Sequence, residues 1–346
     1  MVDEEITFNV VFTPGTVRYL MPAVYTLLDW ASFRFRLVGN ALSAQEAALL
    51  HEAARSHERL SAVVIPAPEM LPHGLVLSLL YRRFDDGACF AFCDPDIFAI
   101  GPYEEIVWEE IRRHDVFSSC YHVSLRGRVY GGDFVGRSLY APTGAPLPTT
   151  FFAVYRRASV ERIWKRWGIG FERYLFEERI PEPVVVELKR HGLYRPPYDT
   201  AKLLNALQTI EGAKISYRDI DTLYHVGGIC RALLPRGLVR ELARVDPVRL
   251  VWRRCVLTER TLTQLTRLYR EARAKRGQKE EDDSAYLLAL RTCVAYYFAA
   301  FLRHLVDGTP RPLLRLHRSE VTANVRRLCA VVEAAYRRYF CGRRAA

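Results

Sequence analysis

Asp94 and Asp96 are the residues whose type and spacing most clearly suggest chemistry. They stand one residue apart, with Pro95 between them, directly after the apolar run "CFAFC". Because side chains alternate along a strand, both carboxylates share a face and can converge on one cation where the strand ends. Carboxylate oxygens beside vacant positions suit Mg²⁺ or Mn²⁺ bound together with phosphates. The tripeptide predicts a divalent-metal site, although D-x-D alone is also common in solvated turns.

The segments before the two aspartates alternate between strand and helix patterns. Strands are predicted at "ITFNVVF", "FRFRLVGN", "SAVVIP" and "CFAFC", and helices at "VRYLMPAVYTLLDW", "SAQEAALLHEAARSHERL" and "GLVLSLLYRRF". Ser43 and Glu46 fit a capping box at the start of the second helix. This alternation predicts an α/β fold, with helices on both faces of a mainly parallel sheet. The ligand crevice is then expected at the carboxyl ends of the strands, where Asp94 and Asp96 lie.

The pattern loosens after Tyr103. Strands are predicted at "VFSSCYHVSL" and "TTFFAVYRR", and helices at "YEEIVWEEIRRHD", "ASVERIWKRWGIGFERYLFEE" and "YDTAKLLNALQTI". Between the two strands lies a long Gly/Pro-rich stretch, 126–150, which contains Asp133. Stretches of this length are usually functional loops, so it predicts a lid or an acceptor-binding loop, with a plain surface excursion as the alternative.

The last third of the chain differs in charge and in pattern. From about Pro235 onward only amphipathic helices are expected, and the apolar run "CVAYYFAAFL" predicts a core helix because it is too short to span a bilayer. Residues 236–346 hold 24 Lys and Arg against 11 Asp and Glu, whereas the whole chain carries +11. Such asymmetry suggests an acidic partner, such as a membrane surface or nucleic acid; solvated helix faces are the alternative.

Composition excludes several classes of protein. No repeat of solenoid or propeller period is present, and half of the residues are hydrophobic, as in a globular protein. The start "MVDEEITFNVVF" is acidic where a secretory signal would be basic. The eight cysteines show no C-x-x-C spacing, so free thiols in a reducing cytoplasm are expected. Cys89 and Cys93 could be metal ligands, but buried small side chains are the better interpretation.

The run "FAFCDPDIFAIGP" resembles the D-x-D strand of metal-dependent glycosyltransferases of the GT-A type. Further pieces similar to that family follow its order over about residues 5–230: "VVFTPGT", "FRLVGN", "LPTTFFAVYRR", "YDTAKLL" and "YHVGGI". The resemblance implies a Rossmann-like GT-A fold and the transfer of a sugar from a nucleotide-diphosphate donor to an acceptor hydroxyl. The expected domains are then a catalytic domain, 1–235, and a basic, all-helical C-terminal domain, 236–346. Within the first, 1–103 would bind the nucleotide sugar and 104–235 the acceptor.

The resemblance also assigns roles to the metal site. Asp96 would bind Mn²⁺ or Mg²⁺ directly, and Asp94 would contact the ribose or reach the metal through water. His225, in "YHVGGI", would be a further protein ligand, since neutral imidazole suits Mn²⁺. A core histidine with satisfied hydrogen bonds is the alternative for His225.

The same resemblance implies a nucleotide-binding set. Gly227 and Gly228 would let the backbone approach the diphosphate closely. The nucleotide pocket would be lined by Thr13, Pro14, Gly15 and Asn40. A UDP-sugar is the first expectation for the donor, although Asn40 does not select uracil over guanine.

Asp199 is the candidate general base if the reaction inverts the anomeric centre. In "PPYDTAKLL" it stands where inverting members of the family carry their base, as the last acid of an acidic pair. Here the preceding residue is Tyr198, which departs from that pattern. Asp199 also fits a helix N-cap, and a retaining mechanism without a base stays open.

Two other classes of function compete with this one. A nucleotidyltransferase would carry a Gly-rich, basic loop after the first strand, which "TPGTVRYLMP" matches poorly. A nucleic-acid-binding protein would fit the basic segment, but no helix-turn-helix or finger signature appears, and no specific nucleic acid is expected. The expected partners are a nucleotide sugar, an acceptor glycan on lipid or protein, and an anionic membrane surface. The expected location is the cytoplasm, peripheral to the inner membrane face.

Overall fold

A computed structural model describes residues 5–119, 151–233, 256–274, 284–317 and 319–341. The Gly/Pro-rich stretch at 126–150, with Asp133, lies outside the described residues. A seven-stranded sheet in the order β3-β2-β1-β4-β7-β6-β8 forms the centre of the molecule. One apolar core lies on each face of this sheet.

The first half of the sheet is parallel, as the alternation of strand and helix patterns predicts. Its elements in chain order are β1 Thr7–Phe12, α1 Val17–Asp29, β2 Arg34–Asn40, α2 Ala44–Arg55, β3 Leu60–Ile65, α3 His73–Arg83 and β4 Cys89–Cys93. The Ser43 half of the predicted capping box is present, because the Ser43 hydroxyl accepts a hydrogen bond from the Glu46 amide at 3.3 Å; the Glu46 carboxylate accepts from the Ser43 hydroxyl and the Gly15 amide. All five residues of β4 are buried, since helices cover the strand on both sides.

The second half adds one antiparallel strand. Its elements are β5 Ile97–Ala99, α4 Glu104–Arg113, β6 Val116–Ser119, β7 Phe152–Arg156, α5 Arg157–Trp167, α6 Glu182–Arg190, α7 Lys202–Ile210, β8 Ile215–Tyr217, β9 Leu223–His225 and α8 Ile229–Leu233. β7 runs antiparallel to both β4 and β6, and β8 is parallel to β6. The predicted fold class, a mainly parallel α/β sheet with helices, is confirmed.

Two predicted helices in this half begin or end elsewhere. The helix expected over 158–178 ends at Trp167, because Gly168 takes a left-handed φ of 67° and its amide closes the last turn on the Trp164 carbonyl at 2.9 Å. The helix expected from about Asp199 begins only at Lys202, after Ala201 in the left-handed region. Helix α6, Glu182–Arg190, forms in a stretch whose sequence pattern predicts no element.

The C-terminal part contains β10 Val256–Thr258, α9 Glu259–Ala274, α10 Ser284–Asp307, β11 Leu313–Arg315 and α11 Ser319–Tyr336, followed by a π-helical turn at Arg337–Cys341. β10 and β11 pair in parallel, so this part is mainly helical and not all-helical as predicted. Three residues are too few to show a strand periodicity in the sequence. We therefore correct the expectation that no strand follows Pro235.

Helix α10 is a core helix. Residues 293–302, the apolar run of the sequence, are all buried, as predicted. By length and composition alone Ala285–Asp307 could cross a membrane, yet 72% of its apolar window is buried inside the protein. Phe298 of α10 packs edge-on against Phe98 of β5, with ring centroids 5.1 Å apart. The C-terminal helices thus share a core with the strand that follows the Asp-Pro-Asp tripeptide.

Candidate active site

The main chain brings Asp94, Asp96 and His225 together. β4 ends at Cys93, and the Asp94 amide then donates to the Phe151 carbonyl at 2.7 Å. β5 pairs antiparallel with β9 in a register that places Ile97 opposite His225. The Val226 amide donates to the Asp96 carbonyl at 3.2 Å, which ties the two segments together beside the carboxylates.

The three side chains form a compact cluster of metal-ligating groups. The Nε2 atom of His225 lies 3.3 Å from Asp96 Oδ1 and 4.0 Å from Asp94 Oδ2. One ligand atom of each of the three residues lies within 4.8 Å of the others. Asp96 and His225 are buried and Asp94 is half-buried, so the cluster faces outward through Asp94. The Phe151 ring lies against the imidazole, with centroids 4.3 Å apart.

Burial and neighbouring charges shift the pKa values of Asp94 and Asp96 in opposite directions. Burial raises the pKa of Asp94 well above its usual value, and the nearby Asp96 and Asp199 carboxylates raise it further against the opposing charge of Arg291. Burial also disfavours the charged form of Asp96. The charge and hydrogen bond of His225 oppose this effect of burial, and the charge of Arg291 and the Ile229 amide add to them. Together they outweigh burial and lower the pKa of Asp96. Asp96 is therefore the carboxylate that is held ionised.

This donor set fits a divalent cation. Two carboxylate oxygens and one imidazole nitrogen are ligands that Mn²⁺ accepts, and Mg²⁺ takes the oxygens readily. A cation between the two acids would also remove the repulsion that raises the pKa of Asp94. Asp94, Asp96 and His225 are the described residues able to hold it.

The cluster opens into a cavity of about 770 Å³, which is within the range of small-molecule sites. Most of the predicted site residues line it: Thr13, Asn40, Asp94, Asp96, Asp199, His225, Gly227 and Gly228. Pro14 and Gly15 are not among the lining residues. They form the turn after β1, where Gly15 has a φ of 80° and its amide donates to Glu46 Oε1 at 2.6 Å.

Asn40 lines the cavity with its amide group already engaged. Its Nδ2 donates to the Leu71 carbonyl at 2.8 Å, and its Oδ1 accepts the Leu71 amide at 3.0 Å. This double hydrogen bond holds the segment before α3 against the end of β2. Leu71, and His73 at the start of α3, line the same cavity, so Asn40 shapes the wall by holding Leu71.

Asp199 lies in the cavity wall and is not a helix N-cap. Its Oδ1 accepts the Thr200 amide at 2.9 Å and lies 3.3 Å from the Nε atom of Arg173. The N-cap position of α7 is occupied by Ala201, two residues later. The Asp199 side chain is 33% exposed, so it is accessible from the cavity while Arg173 and the Thr200 amide fix its orientation.

The glycine pair after His225 makes room for a side chain that the sequence analysis did not select. Gly227 and Gly228 have φ values of +24° and +94°. A Cβ atom on Gly227 would lie 2.8 Å from Arg291 Nη2 and 2.9 Å from His225 Cε1. Arg291 comes from α10, just before the apolar run 293–302, which gave no sign of a site. A charged residue interrupting a buried helix was the one available signal.

Comparisons with known proteins give structural similarities at low sequence identity. No protein-family model and no curated protein matches the chain. TarS residues 1–349 of S. aureus, solved with UDP-GlcNAc, is 14% identical, with a TM-score of 0.40 over 96% of this chain and 92% of that one. The mannosyltransferase PcManGT of Pyrobaculum calidifontis, solved with GDP-Man and Mn²⁺, is 12% identical, with a TM-score of 0.40 over 96% and 87%.

The bifunctional glycosyltransferase WbbM is 9% identical, with a TM-score of 0.36 over 63% of this chain. The present chain spans only 39% of the length of WbbM. These similarities are weak in both sequence and superposition, and they describe what the chain resembles and not what it does.

Proposed function

We propose that this protein is a metal-dependent glycosyltransferase that moves a sugar from a nucleoside-diphosphate donor to an acceptor hydroxyl. One observation carries the proposal: Asp94, Asp96 and His225 converge within 4.8 Å at the carboxyl end of a central strand, in a cavity of about 770 Å³. Ligands of α/β sheets bind at such strand ends. Three metal-ligating groups in this position suit a phosphorylated ligand better than an apolar one.

The chain's own residues would divide the work as follows. Asp96 and His225 would hold a divalent cation, Mn²⁺ or Mg²⁺, with Asp94 as a further ligand or a contact to the ribose. When bound, that cation supplies Lewis-acid stabilisation of the negative charge on the leaving diphosphate. The β5–β9 register keeps the ligands in place before the cation arrives, because it fixes them through main-chain hydrogen bonds.

Asp199 would act as the general base of an inverting reaction. Its Oδ1 is engaged by the Thr200 amide and faces Arg173, which leaves Oδ2 to take the proton of an acceptor hydroxyl. Arg173 and Thr200 would act as positioning residues, since they fix the direction of the carboxylate. In a retaining reaction Asp199 would instead orient the acceptor.

The nucleotide would occupy the part of the cavity between the ends of β1 and β2 and the segment before α3. Thr13 and the glycine pair Gly227 and Gly228 offer polar and close-approach contacts there, and Leu71 and His73 offer a wall for a base or ribose. Asn40 would contribute by holding Leu71. A UDP-sugar remains the first expectation.

The positive charge of the C-terminal segment, 236–346, supports an anionic surface as a partner. We propose a glycan on lipid or protein as the acceptor, and a cytoplasmic enzyme that associates with anionic membrane through that segment. Lys and Arg near such a surface contribute about 1 kcal/mol each. Absence of binding to anionic vesicles at low salt would remove the membrane from this proposal, whereas catalysis would be unaffected.

A thermal-shift panel tests the function. The wild-type protein is heated with UDP, GDP, CDP and dTDP, each with and without Mn²⁺, beside the variants Asp96→Asn and Asp85→Asn. Asp85 is 91% exposed, so its variant is a control for the change of charge. Stabilisation by one nucleotide that needs Mn²⁺ and is absent from Asp96→Asn supports the proposal. No shift of the wild-type protein with any nucleotide would overturn it.

A further inference from the structure

We propose that Arg291, on the C-terminal helix α10, binds the diphosphate of the nucleotide donor and thereby makes the C-terminal segment part of the donor site. This inference rests on the proposed function, because it assigns a partner to the leaving group of that reaction. It gives the C-terminal helices a role in donor binding beside any role in contacting membrane or acceptor.

The position of Arg291 carries the inference. The guanidinium lies over the Gly227 backbone: Nη2 and Nε are 2.8 and 3.2 Å from the point where a Cβ atom of Gly227 would stand. Arg291 lines the same cavity as the metal-ligating cluster and interacts electrostatically with both Asp94 and Asp96. It is half-buried, so it faces the cavity from a partly desolvated position where its charge is only weakly screened.

A bound donor would bring excess negative charge into the site, and Arg291 can offset it. Two aspartates roughly balance a divalent cation, and the donor then adds the negative charge of its diphosphate. During transfer the bond between the anomeric carbon and the diphosphate oxygen breaks, and its electron pair stays on that oxygen. The acceptor oxygen forms the new bond to the anomeric carbon and loses its proton to the base. The diphosphate thus gains negative charge, which a fixed guanidinium offsets.

The type of residue suits this role. A guanidinium presents planar, paired N–H donors that match phosphate oxygens, and it stays charged at any working pH. Two other arginines line the cavity: Arg173 lies 3.3 Å from Asp199 and pairs with that carboxylate, and Arg231 is an exposed residue of α8. Arg291 is the cavity arginine that interacts with both carboxylates of the described metal-ligating cluster.

Packing fixes helix α10 where Arg291 reaches the cavity. Tyr269 of α9 hydrogen-bonds Thr292, the next residue after Arg291, at 3.1 Å. Seven residues further along, Phe298 packs on Phe98 of β5, the strand that follows Asp96. These two contacts hold the helix at two points, one on α9 and one on β5. The helix is thus a fixed wall of the donor site.

The test separates metal binding from diphosphate binding. Mn²⁺ alone is titrated into the full-length wild-type protein and into Arg291→Gln, Arg291→Lys and Arg267→Gln, with free Mn²⁺ followed by electron paramagnetic resonance. UDP, GDP and UMP are then titrated by calorimetry at saturating Mn²⁺. Arg267 on α9 is 73% exposed and pairs only loosely with Glu271, at 3.6 Å, so its variant removes one positive charge away from the cavity.

We expect Arg291→Gln to bind Mn²⁺ as tightly as the wild-type protein or more tightly, since a positive charge beside the carboxylates is gone. Its affinity for the better-binding diphosphate, UDP or GDP, should fall about 10- to 100-fold, and UMP affinity less than about threefold. Arg291→Lys should lose less, because it keeps the charge without the fork. If Arg291→Gln does not fold, Arg291→Lys carries the test.

Unchanged diphosphate affinity in the Arg291 variants would overturn the inference while the proposed function stands. Equal losses of Mn²⁺ and diphosphate affinity would also overturn it, because Arg291 would then be a support of the metal site. A wild-type protein that binds neither Mn²⁺ nor a nucleoside diphosphate would overturn the proposed function, and the inference with it.

Discussion

The two walls of the cavity are built in different ways. The sheet wall carries Asp94, Asp96 and His225 on segments that main-chain hydrogen bonds hold in register. The helical wall carries Arg291 on α10, which reaches the cavity through side-chain packing between segments that are far apart in sequence. Strand register fixes which face of the sheet a residue lies on and which residue stands opposite it. The position of a packed helix depends instead on how many side chains from distant segments fit together. Local sequence should therefore define the sheet wall better than the helical wall.

The largest expected effect is on the sheet wall. Asp96→Asn keeps the shape of the side chain but removes the carboxylate that His225 and Arg291 hold ionised. We expect sugar transfer or donor hydrolysis to fall at least about 1,000-fold, as for loss of a strong electrostatic stabiliser. Thermal stability should fall as well, because the lowered pKa of Asp96 means that its ionised form stabilises the folded protein. Rates with UDP- and GDP-sugars in Mn²⁺ measure this, with Asp85→Asn as control.

A fall of less than about tenfold in Asp96→Asn would show that the cluster is not the reaction centre. The two walls would then differ in how they fold and not in what they contribute to catalysis.

The largest expected loss in the free energy of unfolding is in the helical wall. Phe298→Ala removes a fully buried ring from between α10 and β5, and we expect a loss of about 3–5 kcal/mol in the free energy of unfolding. Urea denaturation measures it. Leu313→Ala, at a residue that is 51% exposed, should cost less than about 0.5 kcal/mol. If Mn²⁺ binding to folded Phe298→Ala is lost as well, the two walls are not independent.

Gly227→Ala tests the point where the walls meet. Its new methyl group would stand 2.8 Å from Arg291 and 2.9 Å from His225, so both must shift. We expect the affinities for Mn²⁺ and for the nucleoside diphosphate to fall together, each about tenfold, because one substitution displaces a residue of each wall. Calorimetry measures both. Gly212→Ala is the control, since Gly212 also has a positive φ, +75°, but has open space around it.

If Gly227→Ala weakened Mn²⁺ binding alone, Arg291 would have no part in binding the diphosphate. If it weakened diphosphate binding alone, His225 would have no part in binding Mn²⁺.

What could be read from the sequence follows this division. The alternation of patterns predicted the sheet, and a D-x-D tripeptide at a strand end predicted where carboxylates would meet. His225 was found only through its resemblance to a family pattern, yet β9 brings it to the same place. Arg291 was not found, because an arginine on an apolar helix shows no periodicity that points to metal ligands elsewhere in the chain.

Local backbone conformation set the other differences. The helix predicted over 158–178 was too long, since Gly168 ends it with a left-handed residue that the apolar pattern does not show. The pair β10–β11 was missed because each strand has three residues. Asn40 was expected to line the nucleotide pocket, and no sequence pattern could show that its amide also bonds Leu71, which is 31 residues away.

The last expected effect is a pH dependence at the start of α3, a helix that packs on the sheet. His73 packs edge-on against Phe92 of β4, with ring centroids 6.2 Å apart, and burial lowers its pKa to about 4. In the unfolded chain a histidine titrates near pH ~6.5. The unfolded state therefore binds a proton that the folded state refuses, so the free energy of unfolding decreases as the pH falls from about 6.5 to 4.

Between pH 7 and 5 this amounts to about 1–2 kcal/mol for His73 alone. Urea denaturation at the two pH values should show that His73→Phe loses this much less stability on acidification than the wild-type protein. His51→Gln, at an exposed position on α2, should lose as much as the wild-type protein. An equal loss in His73→Phe would mean that the histidine is protonated in the folded protein. The contact between His73 of α3 and Phe92 of β4 would then be more hydrated than its packing indicates. The sheet side of the cavity would in that case be held less rigidly than its main-chain hydrogen bonds suggest.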